Sequence, residues 1–259
     1  MNSSIFAIYY CPVKSLSFQS LKLCHIKKNS GMENDRIFAF SRGIDKEQAK
    51  EVEKKPDLRK LNNFLTLKNS PVLNKYNFIY DNNKLILTHQ EKNLITISTD
   101  NLEERSFLCD KILELENSLA KPISLLKNTE FPFFDTSHSN KVFNSISLIN
   151  INSIKDFEKN INEKIESQRF RGNFYIDGID AWEERKWINK IIKINNVSFR
   201  VEKNIPRCVA INLKPKTDDN SLNLLKSLKK NYDHFDMGLY LTALDSGKVE
   251  VGSKVEIKA

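Results

Sequence analysis

IPRCVAIN, at residues 205–212, places Cys208 directly after a cation, Arg207. A positive neighbour favours the thiolate, the form of cysteine that binds metals and attacks electrophiles. A cysteine flanked by apolar residues is more often a small core residue, so this stretch alone leaves both roles open. Its meaning depends on the motifs that surround it.

Six further motifs lie on either side of Cys208. They are PVKSL at 12–16, DR at 35–36, RFRGN at 169–173 and WEERKW at 182–187 upstream, with GLY at 238–240 and GKVEVGSKV at 247–255 downstream. In this order they resemble the MOSC family, the molybdenum-cofactor sulfurase C-terminal domain, preceded by that family's N-terminal β-barrel module. The resemblance implies that Cys208 is the catalytic residue and the protein ligand to a molybdenum held by a pterin dithiolene.

The resemblance also implies which residues bind the cofactor, some in these motifs and others in a polar stretch at 144–147 where family members place a strand near the cofactor. A molybdopterin presents a phosphate and a polar pterin edge, and these need cations and hydrogen-bond donors; a guanidinium can hold a phosphate through two parallel bonds. The residues assigned to the cofactor are Lys14, Ser15, Arg36, Asn144, Ser145, Ser147, Arg169, Arg171, Asn173 and Arg207. An extended segment would place Arg169, Arg171 and Asn173 on one face, because side chains alternate along a strand.

Gly172 departs from the family pattern, which commonly has proline between the arginine and the asparagine. Glycine frees a backbone that proline would fix, so the position of Asn173 is less constrained by the sequence. In WEERKW, the resemblance implies structural roles. Glu184 is expected to bind a nearby cation or backbone donors, and Trp187 is expected to pack in the core.

The pattern of apolar residues predicts an α+β fold that is mostly β. Short runs rich in β-branched and aromatic residues predict strands at 5–10, 21–26, 36–40, 65–67, 78–80, 85–88, 94–97, 142–147, 174–176, 191–194, 198–203, 209–213, 240–244 and 249–251. Helical spacing predicts helices at 100–114, 152–167 and 222–231. In the first helix Leu102, Phe107, Leu108 and Ile112 would share the buried face, and in the second Ser153 is a possible N-cap.

Together with the resemblance, this pattern indicates an N-terminal β-barrel-like module at 1–125. A MOSC domain at 126–259 would follow, built as a mixed β-barrel with flanking helices. The residues Asp81, Asn82, Asn83 and Lys84 between two predicted strands predict a hairpin over 77–88.

Composition limits the other classes of function. The hydrophobic fraction of 40% and charged fraction of 29% are typical of a soluble protein. No run of residues is long and apolar enough for a membrane span, and no signal peptide is recognised, so a cytoplasmic protein is expected. The net charge of +8 comes from dispersed lysines without nucleic-acid-binding motifs, which argues against nucleic acid and leaves a small anion possible. The four cysteines and four histidines lack the spacing of a zinc or iron–sulfur site.

Two functions remain open. The resemblance implies a molybdenum-dependent oxidoreductase that reduces N-hydroxylated or related N- and S-oxide small molecules. A separate ferredoxin or reductase would supply electrons, because 259 residues leave no room for a ferredoxin domain after the motifs. The alternative is a sulfur carrier or a cofactor-binding and delivery protein that uses a persulfide on Cys208. Pyridoxal phosphate is not expected, because the chain has no desulfurase domain.

Overall fold

The computed structural model describes residues 3–134 and 146–258. Within these ranges the chain forms sixteen strands and four α-helices, so the predicted α+β class, mostly β, is confirmed. The strands are β1 (Ser4–Tyr10), β2 (Gln19–Leu21), β3 (Leu23–Lys27), β4 (Gly31–Met32), β5 (Phe38–Phe40), β6 (Tyr76–Asp81), β7 (Lys84–His89), β8 (Lys92–Ser98), β9 (Leu125–Lys127), β10 (Ile146–Asn150), β11 (Phe174–Asp177), β12 (Ile191–Ile194), β13 (Val197–Pro206), β14 (Asp236–Ala243), β15 (Gly247–Glu250) and β16 (Val255–Ile257). The α-helices are α1 (Lys46–Lys54), α2 (Leu102–Leu115), α3 (Ile151–Ile161) and α4 (Leu224–Tyr232). Short 3₁₀-helices span Pro56–Leu58, Leu61–Asn63, Pro71–Lys75, Ser167–Phe170, Glu183–Trp187 and Val209–Asn212.

An eight-stranded sheet forms the centre of the molecule, in the order β16-β12-β13-β14-β10-β11-β1-β2. Only β10 and β11 are parallel within it, and a parallel pair needs a crossover connection. The helix α3 lies in that crossover, and its residues Ile154 and Phe157 are buried. The N-terminal strand β1 pairs with β11, so the beginning of the chain is part of the same sheet.

Three smaller sheets complete the described structure, in the orders β15-β3-β4, β5-β9 and β6-β7-β8. The predicted hairpin is confirmed as β6 and β7, with Asp81 opposite Lys84. Its two turn residues, Asn82 and Asn83, both have positive φ values, of 46° and 60°, as two-residue hairpin turns of this kind require. The division of the chain at residue 125 and the closure of barrels stay predictions. Across that division β3 pairs with β15.

Several local predictions are wrong, for identifiable reasons. Residues 209–213 form a 3₁₀-helix, since a short apolar run does not distinguish strand from helix. Residues 65–67 form no strand. In α2, Leu102 and Phe107 are 71% and 60% exposed. The helix instead buries Leu108, Cys109 and Ile112 against the N-terminal core.

The beginning of α3 also differs from its prediction. The N-cap is Asn150, whose side chain accepts a hydrogen bond from the backbone of Asn152. Ser153 lies in the first turn of the helix and is buried, where it binds Glu184. Of the predicted strand 142–147, residues 142–145 lie outside the described ranges, and β10 begins at Ile146.

Candidate functional site

Cys208 lies at the point where β13 ends and the 3₁₀-helix Val209–Asn212 begins. Its carbonyl oxygen accepts the backbone hydrogen bond of Ile211 at 3.2 Å, which closes the first turn of that helix. The side chain is exposed, whereas Cys11, Cys24 and Cys109 are buried. Cys208 is therefore the cysteine that a solute can reach without unfolding the chain.

The side chain of Arg207 is anchored in the protein by hydrogen bonds to two backbone carbonyls. Its guanidinium donates to the carbonyl of Phe170 at 2.7 Å and to the carbonyl of Met237 at 2.8 Å through Nε, with a second contact to Met237 through Nη2. Burial lowers the pKa of Arg207 to about 10. The guanidinium thus connects the residue before Cys208 to the 3₁₀-helix Ser167–Phe170 and to β14. These bonds fix the backbone next to Cys208.

The prediction that Arg169 and Arg171 share one face of an extended segment is wrong. Arg169 lies in the 3₁₀-helix Ser167–Phe170, and Arg171 follows it in a left-handed conformation with φ of 53°. Arg169 donates to Glu166 at 2.8 Å and to the carbonyl of Asn212 at 2.7 Å. Arg171 donates to the carbonyl of Leu16 at 2.5 Å. The helical turn nevertheless brings both guanidiniums to the wall of one cavity.

The ring of Phe18 contacts two of the assigned cations. The guanidinium carbon of Arg171 is 4.7 Å from the centre of the Phe18 ring, and that of Arg36 is 5.7 Å from it. The negative face of an aromatic ring attracts such cations. The contact holds Arg36, which is far away in sequence, beside Arg171, although Phe18 was not among the predicted residues.

Asp35 is a buried carboxylate that organises these residues, and the sequence prediction missed it. It pairs with Arg36 and accepts hydrogen bonds from the backbone of Cys11 at 2.6 Å and from Asn173 at 3.2 Å. Burial raises the pKa of Asp35, while Arg36 and the hydrogen bonds act in the opposite direction. An acidic residue next to an assigned arginine was the one available signal in the sequence.

A cavity of about 630 Å³ opens beside these residues. One side is formed by the segment after β1, including Phe18, and the other by Gln168, Arg169 and Arg171. Ala210, two residues after Cys208, also lines it. The cavity therefore reaches the segment that follows Cys208, although Cys208 itself is not one of its lining residues.

Residues 135–256 match the family model described as the MOSC domain. The chain contains a MOSC domain. Proteins of this family are associated with the molybdenum cofactor, and a function related to that cofactor follows for this chain. A search of curated proteins finds no match.

Solved structures similar to this chain are distant relatives. The YuaD protein from Bacillus subtilis is 9% identical, with 99% of this chain and 96% of that chain covered and a TM-score of 0.46. YiiM from Geobacillus stearothermophilus is 16% identical, with 44% and 54% covered and a TM-score of 0.36. YiiM from Escherichia coli is 13% identical over the same shares, also with a TM-score of 0.36. None of these likenesses assigns a function.

Asn173 and Ser147 face each other in the interior of the MOSC domain. The Oδ1 atom of Asn173 accepts from the backbone and hydroxyl of Ser147 at 3.1 and 2.9 Å. Its Nδ2 atom donates to the carbonyl of Tyr9 at 3.1 Å and to Asp35. These bonds connect the segment before β11 to β10 and β1. The bond to Asp35 is the one that links the Asn173 amide to the assigned residue Arg36.

Lys14 and Ser15 follow β1. Lys14 is buried, and its ammonium group donates to the carbonyl of Phe133 at 3.0 Å. Ser15 has a left-handed backbone with φ of 62°, an uncommon state for a residue other than glycine. Asn144 and Ser145, the other two residues assigned to the cofactor, lie outside the described residues.

The space around Gly172 leaves little room for a side chain at this position. A Cβ atom at this position would lie 2.6 and 2.9 Å from two side-chain carbons of Ile149 and 3.1 Å from the ring of Tyr175. Distances below 3.0 Å require the neighbour to move. Glycine therefore allows β11 and β10 to approach closely just before Asn173.

Glu184 and Trp187 have structural roles, as predicted. Glu184 accepts from the amide of Asn150 at 2.9 Å and from the hydroxyl of Ser153 at 2.8 Å. A backbone hydrogen bond and the charge of Arg185 also favour its ionised form. Burial raises the pKa of Glu184. Trp187 is 1% exposed and belongs to the central core.

Residues 3–134 and 146–258 contain neither a group of metal ligands nor a membrane-spanning helix. No group of three His, Cys, Asp or Glu side chains in these ranges could hold a metal ion. No helix in them has the length and apolar character needed to cross a membrane.

Proposed function

We propose that this protein is a molybdenum-cofactor-dependent oxidoreductase that reduces N-hydroxylated or related N- and S-oxide small molecules. The observation that carries the proposal is the exposed thiol of Cys208 beside a cavity lined by Arg169 and Arg171. A soft thiolate suits a redox-active metal, and guanidiniums suit a phosphate. The chemistry of these groups fits a molybdopterin.

The assigned residues divide the work of binding the cofactor. Arg36 and Arg171, which both contact the ring of Phe18, would bind its negative groups. Lys14, Asn173, Ser147 and Arg207 are already engaged with the protein, so they would set the positions of the residues that touch it. Asn144 and Ser145 stay candidates for direct contact.

The cofactor would supply a metal that exchanges oxygen and electrons with the substrate. In the overall reduction of an N-hydroxyl group, the N–O bond breaks, two electrons and two protons are consumed, and water leaves. Cys208 would fix the metal at the edge of the cavity, and the cavity would orient the substrate. The electrons would come from a separate ferredoxin or reductase.

Metal content tests this proposal most directly. The protein, purified from a host that makes the cofactor, is expected to carry nearly one molybdenum per chain, and Cys208→Ala is expected to lose it. Val209→Ala is the matched control, because Val209 is the exposed neighbour, 47% accessible, and carries no ligand atom. Wild-type protein without molybdenum, or with metal that Cys208→Ala retains, would contradict the assignment. Loaded protein that reduces no N- or S-oxide with an artificial electron donor would contradict the reaction.

A sulfur-carrier or cofactor-delivery function is the second candidate, and the exposure of Cys208 favours it equally. In that case a sulfane-sulfur donor, such as a persulfide, should transfer its outer sulfur to the Cys208 thiolate and depart as a thiolate. The resulting persulfide would be detected by mass spectrometry as one added sulfur on the peptide. Absence of this modification after treatment with a sulfur donor would exclude the carrier role.

A further inference from the structure

The walls of the cavity beside Cys208 carry charge of one sign. Arg169, Arg171 and Lys216 all line it, and none of the described residues in its wall is acidic. Two of these cations have partners within the protein: Arg169 binds Glu166, and Arg171 donates to the carbonyl of Leu16. Lys216 differs, because no hydrogen bond or ion pair joins its ammonium group to the described residues. The cavity therefore has a cation available for a ligand.

The loop that carries Lys216 is held from across the cavity. The Asn74 amide, from the N-terminal part of the chain, donates to the carbonyls of Lys214 and Thr217, at 2.7 Å each. Lys216 itself has a left-handed backbone with φ of 62°. A non-glycine residue persists in this conformation when its surroundings impose it. These contacts fix the backbone around Lys216, whose side chain lines the cavity.

The rest of the wall suits a flat organic body with polar substituents. The ring of Phe18 and the side chains of Ile79 and Leu213 provide apolar surface. Gln19 and Asn77 provide amides, and the Oδ1 atom of Asn77 has no hydrogen-bond partner among the described residues. Amides, hydroxyls and cations make up more of the wall than apolar side chains do, so a ligand would find polar groups around a smaller apolar surface.

We propose that this cavity binds a planar organic anion, bearing a carboxylate or a phosphate, and that Lys216 is the residue that selects its charge. That this anion is the substrate rests on the proposed reductase function. That the cavity binds such an anion does not depend on it. The anionic group would pair with Lys216 and the flat body would lie against Phe18, with the reducible group directed toward Cys208.

Four naphthalene probes of one shape test the charge selection on metal-free protein. Equilibrium dialysis with fluorescence detection would compare 2-naphthoate, 2-naphthyl phosphate, 2-naphthamide and 2-naphthamidine. Wild-type protein is expected to bind at least one anion about fivefold or more tightly than the amide, with the cationic amidine weakest. The two anions distinguish a carboxylate from a phosphate ligand. Equal binding of all four probes, or no binding, would overturn the proposal.

Variants locate the effect. Lys216→Gln should weaken the anions about fivefold and leave 2-naphthamide unchanged, since only the charge contact is lost. Lys226→Gln, an exposed lysine on α4 outside the cavity, makes the same change in net charge and should behave as wild type. Loss of anion binding in both variants, or in neither, would contradict a role for Lys216.

A preparation loaded with molybdenum separates substrate from cofactor. Anion binding that persists in loaded protein supports a substrate cavity. Binding that disappears on loading would assign the cavity to the cofactor and overturn the substrate class. A protein that never takes up molybdenum would contradict the proposed reductase, while the charge selection in metal-free protein would still be measured.

Discussion

The amide nitrogen Nδ2 of Asn173 donates a hydrogen bond to Oδ2 of Asp35 at 3.2 Å, across 138 residues of sequence. Through this bond the segment just before β11 and the loop that carries Arg36 share one buried carboxylate. Arg36, next to Asp35, and Asn173, two residues after Arg171, are thereby held in one arrangement. Much of the geometry of the candidate site depends on this pair.

Replacing Asp35 with asparagine should destabilise the protein by about 2–3 kcal/mol, because the ion pair with Arg36 is lost and an amide would face the donors of Cys11 and Asn173. Urea unfolding followed by circular dichroism measures this change. Asp57→Asn is the control, since Asp57 is exposed, and it should unfold at the wild-type midpoint. An Asp35→Asn midpoint equal to wild type would contradict the role of the carboxylate.

Adding one methyl group at Gly172 should also destabilise the fold, by about 1–3 kcal/mol, because Gly172→Ala forces Ile149 to move. The nearest atom is Cδ1 of Ile149, which Ile149→Val removes. Thermal unfolding of the two single variants and the double variant measures their coupling. The double variant should lose less stability than the sum of the two, and strict additivity would show that this contact is not the cause.

One thiol per chain should react rapidly with Ellman's reagent in the native state, and the other three only after unfolding, because Cys208 alone among the four cysteines is exposed. The absorbance change over the first minute counts the accessible thiols. Cys208→Ala should abolish the rapid phase. A rapid phase of two or more thiols, or one that survives in Cys208→Ala, would contradict the described burial.

The stability of the protein should fall between pH 7 and pH 5.5 in part through His234. Burial, followed by repulsion from Arg185, lowers the pKa of His234 from its usual value of 6.5. The unfolded chain therefore takes up a proton at a higher pH than the folded protein, and stability is lost as the pH falls below about 6.5. Protonation would also displace the backbone donor of Asp236 from Nδ1 of His234.

Urea unfolding at several pH values tests this sign. His234→Gln should show a shallower decrease of unfolding free energy than wild type on acidification. His25→Gln, exposed on β3, should keep the wild-type slope. Parallel slopes for wild type and His234→Gln would mean that His234 titrates alike in the folded and unfolded states.

The sequence was sufficient where the structure is local. The hairpin of β6 and β7 is determined by alternating residues and two asparagines that tolerate positive φ. The prediction that residues 209–213 form a strand failed, because an apolar run of this length is compatible with either backbone and the packing of Ile211 decides. Phe107 sits at helical spacing yet faces solvent, since the position of α2 on the core selects a different face.

The candidate site could be predicted in composition but not in arrangement. The motif order identified the arginines and Cys208, yet it could not show that Arg207 is turned inward toward Phe170 and Met237. Asp35 was missed because its importance comes from Asn173, which no local pattern connects to it. Lys216 was missed for the same reason, since Asn74 fixes its loop from a distant part of the chain.

The pairing of β1 with β11 has a practical consequence for anyone who shortens this protein. A fragment that begins at residue 135, where the family match starts, would lack the strand that covers one side of β11. The backbone groups along that side of β11 would then be open to pairing with other molecules, and uncovered strand edges promote aggregation. A separate peptide of residues 3–21 would supply the missing strand. The fragment that carries Cys208 should therefore be prepared together with this peptide rather than alone.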